Sequence, residues 1–107
     1  MKRYGMVIKV KPEKTEAYKK LHEAVWPDVL KMIIECNIRN YSIYLKDGFL
    51  FSYFEYTGID FNADMEKMAA DPVTQEWWKE CKPCQAPLES RAEGEWWANM
   101  EEVFHSD

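Results

Sequence analysis

The sequence lacks the short motifs that mark several large enzyme classes. Its four glycines do not form a glycine-rich loop of the kind that surrounds phosphate groups. It contains no G-x-S-x-G nucleophile turn and no H-E-x-x-H zinc helix. These absences exclude the motif-defined nucleotide-binding proteins, α/β-hydrolases and zinc proteases as explanations of its chemistry.

Clustered positive charge and long apolar segments are also missing. The formal net charge is −5, and no basic stripe suited to nucleic acid is present. An anionic membrane surface is disfavoured for the same reason. No apolar run approaches the length that spans a bilayer, and the N-terminus leads into a strand pattern without the apolar region of a signal peptide. We therefore expect a cytoplasmic protein that binds neither nucleic acid nor membrane.

Cysteine is scarce and odd in number. Three cysteines cannot make a disulfide framework, and they suit a reducing compartment. Cys81 and Cys84 form a C-x-x-C, but a structural zinc site needs four ligands, and no spacing to Cys36, His22 or His105 supplies them. A thioredoxin-type motif is expected where a helix starts after a strand, whereas this one falls at a predicted helix end. We predict two ordinary thiols and no metal site.

Aromatic residues, in contrast, are abundant. The 107 residues include five Trp, six Tyr and five Phe, which together make 15% of the chain. This length predicts a single domain spanning residues 1–107. A core of that size does not need so many rings, so we expect some of them to line a ligand site or a subunit interface.

The strands are indicated by apolar residues that alternate or cluster in short runs. Such patterns predict strands over 3–10, 38–45 and 49–56. An Asp-Gly pair between the last two is a strong hairpin signal. A final strand is predicted over Met100–His105.

Two helices are predicted between the first and second strands. The first begins at Pro12, where the missing N–H of proline has no cost, and runs to the break at Trp26-Pro27. The second covers 27–36 and is terminated by Asn37. Apolar spacing assigns to the buried sides of these helices Ala17, Leu21, Ala24, Val25, Val29, Leu30, Ile33 and Ile34.

Two more helical segments follow the third strand. One covers 61–70, and the other begins at Asp71-Pro72, a cap followed by proline at the first helical position, and runs through Cys81. Residues 83–95 carry proline, glycine and charges, and are predicted to form a long loop.

The resulting order, β-α-β-β-α-β, predicts an α+β domain of the ferredoxin-like, split βαβ type. Strand 49–56 is largely apolar on both faces, so both faces require a cover. Helices can cover one face, and a second copy of the chain is the simplest cover for the other. We therefore predict a homodimer with its two sheets packed face to face.

His22 is the residue whose pattern says most about chemistry. It lies four residues after Tyr18, so both side chains project from one helical face. A histidine on a partly apolar face can exchange protons near neutral pH. The alternative is a histidine that is only packed or solvated on the helix.

The Trp77-Trp78 pair is the second signal. Adjacent helical residues point about 100° apart, so both rings cannot serve the same core. An indole face suits the C–H face of a sugar, and its N–H can bond hydroxyl groups. The alternative is a pair of core or interface tryptophans. Trp96-Trp97 repeats the pattern late in the chain, where we favour an interface or lid role.

Asn40, Tyr41 and Tyr44 fall on the second strand. Tyr41 and Tyr44 face opposite ways because strand side chains alternate, so one is expected to line a pocket while the other packs. Asn and Tyr side chains suit sugar hydroxyl groups. Ordinary strand aromatics remain the alternative.

Four stretches, taken together, match one known family. They are Y-K-K-L-H-E-A-V-W-P-D from Tyr18, N-Y-S-I-Y-L from Asn40, D-P-V-T-Q-E-W-W from Asp71 and E-V-F-H from Glu102. The sequence resembles the L-rhamnose mutarotase family over almost its whole length. The resemblance implies a dimeric ferredoxin-like isomerase that interconverts the anomers of L-rhamnose, or of a related 6-deoxy sugar, without a cofactor.

The resemblance also implies roles for individual residues. His22 matches the family's proton donor, and the sugar-contacting positions are matched by Tyr18, Tyr41, Trp77 and Trp78. The chain departs from the family pattern at Asp28, where glutamate is common, at Arg39, and throughout Cys81–Glu95. Because loops beside a site often set specificity, the last departure leaves L-rhamnose, L-fucose and other 6-deoxy sugars open.

Two other functions are compatible with the same fold. One is a non-catalytic sugar-binding or interaction dimer. The other, suggested by fold analogy alone, is a small monooxygenase or haem-handling enzyme. Binding without anomer exchange would favour the first, and haem or oxygen chemistry without a response to sugar would favour the second.

Overall fold

One antiparallel sheet of five strands carries four helices on one of its faces. The structure, a computed structural model, describes all of residues 1–107. The second strand of the chain lies at one edge, the third lies beside it and the first comes next, and two short strands late in the chain both pair with the far side of the first. The strands are β1 Lys2–Val10, β2 Ile38–Lys46, β3 Phe49–Tyr56, β4 Gln85–Ala86 and β5 Ala98–Met100, and the helices are α1 Thr15–His22, α2 Pro27–Glu35, α3 Phe61–Ala70 and α4 Pro72–Cys81.

Local chemistry sets the helix boundaries. Trp26 is extended, with φ −60° and ψ 133°, because the residue before a proline avoids helical angles. The side chain of Asp60 accepts a hydrogen bond from the Ala63 N–H, and Asp71 caps α4 in the same way. These caps confirm the predicted starts of α3 and α4. None of the four helices has both the length and the apolar composition that crossing a membrane requires.

The sheet presents alternate residues to its two faces. In β3, Leu50, Ser52, Phe54 and Tyr56 are buried beneath the helices, and the residues between them lie on the outer face. Asp47 and Gly48 both have positive φ, 52° and 78°, which confirms the predicted tight hairpin.

A bulge in β2 determines where its tyrosines point. The register shifts between Arg39 and Ser42, and Asn40 has a φ of 52°. Tyr41 then packs edge-on against Phe54 on the helix-covered face. Tyr44 pairs with an outer-face residue of β3 and is 66% exposed. The prediction that these tyrosines face opposite ways is confirmed.

Two predictions about the first helices were wrong. The helix that begins after Pro12 ends at His22 rather than at Trp26, because the chain must become extended before Pro27. The buried residue of α1 is Tyr18, whereas Ala17 and Ala24 are exposed. In α2 only Val29 is fully buried and Ile33 is partly so, while Leu30 and Ile34 are about half exposed, at 50% and 51%.

The end of the chain also differs from its prediction. The predicted loop 83–95 begins with a 3₁₀ turn at Lys82–Cys84 and with strand β4. The last strand is Ala98–Met100 rather than Met100–His105, and residues 101–107 have no regular secondary structure. Beyond Met100 the chain is joined to β1 through side chains, because Arg3 donates to the Glu102 carboxylate. Such contacts do not form a strand ladder.

Candidate active site

A cavity of about 360 Å³ lies between the helices and the covered face of the sheet. Its walls are mostly apolar, with a few polar groups among them. The five residues singled out from the sequence all line it, namely Tyr18, His22, Tyr41, Trp77 and Trp78. A second depression on the outside of α4 is more open to solvent and does not include His22.

His22 has a defined proton arrangement. Its Nδ1 lies 2.8 Å from the carbonyl oxygen of Tyr18, one helical turn earlier. A carbonyl oxygen can only accept, so Nδ1 must carry the hydrogen. Nε2 has no protein partner, and it accepts a proton when the ring is neutral and donates one when the ring is charged. The ring therefore offers one reactive nitrogen.

Aromatic rings hold the imidazole in place. The Tyr18 ring stacks on it with 4.3 Å between centroids, and the Trp77 ring meets it edge-on at 5.3 Å. Trp26 in turn packs against Trp77 at 5.2 Å. Side chains locked by packing keep a reactive atom in one place, which proton transfer requires. His22 is only partly buried, so Nε2 remains open to the cavity.

Tyr18 and Tyr41 provide neutral hydroxyl groups. Burial raises the pKa of the Tyr18 hydroxyl well above its ordinary value, and a hydrogen bond from Gln85 opposes part of that rise. Tyr41 is 41% exposed as a residue and lines the cavity, and desolvation raises the pKa of its hydroxyl to about 12. Both groups keep their hydrogen at neutral pH and can bond sugar oxygens.

The two adjacent tryptophans occupy different environments. Trp77 is 6% exposed and belongs to the hydrophobic core as well as to the cavity wall. Trp78 is partly buried, and the ammonium group of Lys82 lies 5.2 Å from its ring centroid. Trp78 nevertheless packs against the same core as Trp77 and lines the same cavity, contrary to the expectation that the two rings could not serve one core. It is the more accessible of the two.

The segment after α4 adds Lys82 and Gln85, which the sequence did not single out, and Trp96, which was expected in an interface or lid role. Gln85 is buried, at 6% exposure, and Trp96 contacts it through its indole N–H. Lys82 lies against Trp96 as well as Trp78, with its Nζ 5.4 Å from the Trp96 ring centroid. All three residues line the cavity. The segment that looked unusual in the sequence therefore forms part of the cavity wall.

The cysteines are free and buried. Desolvation raises the pKa of Cys81 to about 12, which keeps this thiol protonated, and Cys84 directs its sulfur toward the Glu80 carbonyl oxygen at 3.8 Å. No group of three or more His, Cys, Asp or Glu side chains is arranged to hold a metal ion.

Comparison with known proteins gives the family. The family model for L-rhamnose mutarotase matches residues 3–106. The chain belongs to the L-rhamnose mutarotase family. The family's activity is the interconversion of the α and β anomers of L-rhamnose, and the chain is accordingly an isomerase.

Individual relatives agree with membership of the L-rhamnose mutarotase family. The L-rhamnose mutarotase of Oceanobacillus iheyensis is 33% identical over 100% of both chains, and that of Sinorhizobium fredii is 32% identical over 98% of both. The solved L-rhamnose mutarotase of Formosa agariphila has a TM-score of 0.78 at 19% identity over 100% of both chains. A polyketide cyclase of Streptomyces glaucescens, tetracenomycin F2 cyclase, shares the fold with a TM-score of 0.68 at 15% identity and 100% coverage of both chains.

The cavity contains residues that the sequence indicated and residues that it did not. The resemblance indicated five residues spread over three elements, and these line one cavity. It gave no signal for Gln85, because the partners of Gln85 are distant in sequence and are brought together only by folding. Trp96 was expected in an interface or lid role, and in this mutarotase family member it lies at the cavity wall.

Proposed function

We propose that this chain interconverts the α and β anomers of L-rhamnose with His22 as its acid and base. The observation that carries the proposal is the arrangement of the imidazole. Nδ1 is bound to the Tyr18 carbonyl at 2.8 Å, while Nε2 is free in a cavity lined by aromatic rings. Such a nitrogen can give a proton to a bound sugar and take one back.

The chemistry needs only proton transfer. As the ring opens, the bond between the anomeric carbon and the ring oxygen breaks, and the carbon forms a double bond to its hydroxyl oxygen. The ring oxygen gains a proton from Nε2 of His22, and the anomeric hydroxyl loses one to water; both transfers reverse as the ring closes. The open aldehyde rotates about one C–C bond and closes on its other face. A positioned acid or base contributes about 10²–10⁴-fold to such a step.

The remaining cavity residues have binding roles in this proposal. Tyr18 and Tyr41 orient sugar hydroxyl groups through their neutral O–H groups, and Trp77 and Trp78 form the apolar wall against the sugar's C–H face. The cavity, at about 360 Å³, is near the lower end of the range for ligand sites. This size suits a single small neutral sugar.

A direct test follows the optical rotation of a freshly dissolved pure anomer with no cofactor added. Acceleration with L-rhamnose, compared with L-fucose and other 6-deoxy sugars, supports the proposal and defines the sugar. Sugar binding without acceleration would indicate instead a non-catalytic sugar-binding dimer. A response to haem or oxygen without any response to sugar would indicate the third function considered above.

We also predict that the reaction requires no metal. Ring opening by proton transfer needs no Lewis acid, and the C-x-x-C thiols are buried, with Cys81 held protonated. Treatment with a chelator followed by desalting should leave the rate unchanged. A lost rate that returned on addition of zinc, or zinc copurifying at one equivalent, would show that Cys81 and Cys84 are metal ligands.

The outer face of the sheet supports the proposed homodimer. It is rich in apolar side chains with no cover within the chain, among them Val7, Phe51 and the exposed Tyr44. Val103 and Phe104 of the last segment are 87% and 81% exposed. A monomer rarely leaves so large an apolar surface uncovered, and a second copy with its own such face would cover it.

Phe51→Lys should therefore dissociate the dimer, because it places a charge in the middle of the proposed interface. Light scattering at low micromolar concentration should give the dimer mass for the wild-type chain and the monomer mass for the variant. Ile59→Lys is the matched control, because Ile59 is fully exposed and precedes α3, away from this face. A monomeric wild-type chain would refute the proposal.

We further propose that residues 1–107 form one ferredoxin-like domain that works in the cytoplasm. The grouping treats β4 and β5, which both pair with β1, as two pieces of a single edge strand. Each pair of helices then replaces one helix of the simple β-α-β-β-α-β order. Three buried free thiols suit a reducing compartment.

A further inference from the structure

Gln85, the first residue of β4, joins two aromatic residues through its buried amide group. Its Oε1 accepts a hydrogen bond of 2.7 Å from the indole Nε1–H of Trp96. Its Nε2 donates to the hydroxyl oxygen of Tyr18 at 3.2 Å. Gln85 is 6% exposed and Tyr18 is 4% exposed, so water competes little for these groups.

The chain of bonds has only one possible direction. An indole N–H can donate but cannot accept, so the amide oxygen of Gln85 must face Trp96. The amide NH₂ then faces Tyr18, and because it can only donate, the Tyr18 oxygen must accept. No protein acceptor takes the remaining O–H of Tyr18, whose side chain lines the cavity. That hydrogen is left for a ligand.

We propose that Gln85 is a positioning residue that fixes Tyr18 as a hydrogen-bond donor to the sugar, with Trp96 fixing the orientation of Gln85. The inference rests on the proposed function, and it defines what Tyr18 presents to the substrate. A tyrosine hydroxyl can otherwise donate or accept. With its oxygen already occupied by Gln85, the Tyr18 O–H is directed to a sugar oxygen that carries a lone pair.

Contacts of Lys82 help to fix the position of Trp96, which in turn orients Gln85. The ammonium group of Lys82 lies 5.2 Å from the Trp78 ring centroid and 5.4 Å from that of Trp96. These cation–π contacts join the Trp96 segment to the end of α4. Trp96 is 36% exposed, so its indole is not fixed by burial alone. The bond to Gln85 and the contact with Lys82 together set its position.

Gln85→Glu is the informative variant, because it keeps the shape and reverses the hydrogen bonding. An ionised carboxylate accepts from Trp96 as the amide does, but it has no hydrogen for Tyr18. The Tyr18 O–H then turns toward the carboxylate, and the cavity loses a donor. At neutral pH we expect kcat/KM and the affinity for L-rhamnose each to fall by about tenfold, the effect of one lost hydrogen bond.

The pH dependence of sugar affinity in Gln85→Glu distinguishes a positioning role of Gln85 from a merely structural one. Below its pKa the introduced carboxyl carries a proton, which it can donate to Tyr18 as the amide does. The ratio of variant to wild-type affinity should therefore rise toward one as the pH falls through that pKa, which burial raises above the usual value of about 4.3. The titratable groups that share the cavity are Tyr18, His22, Tyr41, Cys81 and Lys82.

The control is Gln85→Met, which has a similar length and no hydrogen bonds. Gln85→Met keeps the titratable groups of the wild-type cavity. Its affinity for L-rhamnose should therefore be lower than that of the wild-type chain by the same factor at every pH. Trp96→Phe should cause a smaller loss, because it leaves the Gln85 amide in place but frees it to turn over. Thermal midpoints measured at the same pH values separate these effects from unfolding.

Three results would overturn the inference. Wild-type affinity and rate in Gln85→Glu at all pH values would show that the direction of the Tyr18 hydroxyl is unimportant. A loss in Gln85→Glu that did not change with pH would show that a proton on the carboxyl does not restore sugar binding, and that Gln85 does not act by directing the Tyr18 hydroxyl. Unfolding of both Gln85→Glu and Gln85→Met, together with unaltered sugar binding in Trp96→Phe, would show that Gln85 has a structural role. If the wild-type chain bound L-rhamnose without exchanging anomers, the proposed function would fail while the affinity measurements still tested Gln85.

Discussion

His22→Asn is expected to keep the fold and sugar binding while losing most of the anomerase rate, by about 10²–10⁴-fold. Asparagine is polar and similar in size, and its amide can still donate to the Tyr18 carbonyl that now binds Nδ1. It cannot exchange a proton near pH 7. The Tyr18 ring, which stacks on the imidazole, and the Trp77 ring, which meets it edge-on, would each lose one partner. Both rings belong to the buried core, which keeps them in place.

Tyr18→Phe is the matched comparison for His22→Asn. It removes one hydroxyl group and leaves the ring that stacks on His22, so we expect a smaller loss of rate, accompanied by weaker sugar binding. Rates come from optical rotation, and affinities from quenching of tryptophan fluorescence. A His22→Asn variant with near wild-type rate would disprove the mechanism, and an unfolded variant would show that His22 has a structural role.

Trp77→Ala and Trp78→Ala should separate core packing from sugar binding. Trp77 is 6% exposed and packs against His22 and Trp26, so its truncation should cost about 3–5 kcal/mol of the free energy of unfolding. Trp78 is only partly buried, so Trp78→Ala should cost less stability and mainly weaken sugar binding.

Urea denaturation gives the stability of each tryptophan variant, and fluorescence titration with L-rhamnose gives its affinity. The two substitutions remove the same side chain from neighbouring positions of α4, so each controls for the other. Equal losses of stability would contradict the different burial of the two rings. Unchanged sugar affinity in Trp78→Ala would remove Trp78 from the proposed cavity wall.

The features predicted well from the sequence are those set by near neighbours in the chain. Strand β3 and helix α3 begin and end where predicted. The Asp47-Gly48 turn depends on the backbone angles of its own two residues. The Asp71 cap depends on a hydrogen bond that its carboxylate accepts from the N–H of Thr74, three residues later. These interactions are contained in a few consecutive residues, so a local pattern is enough to identify them.

The features predicted poorly depend on packing between distant segments. The sequence does not show how wide a stripe of α2 the sheet can cover, and Leu30 and Ile34 are left about half exposed. The last strand was placed too late because its length is set by pairing with β1, where Ala98 and Met100 lie opposite Val7 and Gly5. A run of residues with strand-forming character cannot show where its partner ends.

The residues of the candidate site also fall into those that a local pattern indicates and those that only folding brings together. His22 and Tyr18 were recognisable because they are one helical turn apart, and the family resemblance supplied Tyr41 and the tryptophan pair. Gln85 was not recognisable, since Tyr18 lies 67 residues before it and only the folded chain brings their polar atoms together. The fold itself gives little help with function, because a polyketide cyclase shares it at a TM-score of 0.68.

The most direct test of the central claim is a saturation-transfer NMR measurement on L-rhamnose at anomeric equilibrium. The anomeric proton of one anomer is saturated, and the signal of the other is followed with a small amount of the protein and no cofactor. We predict rapid transfer of saturation with the wild-type chain and almost none with His22→Asn, although that variant still binds the sugar. No transfer with the wild-type chain, or undiminished transfer with His22→Asn, would contradict the account.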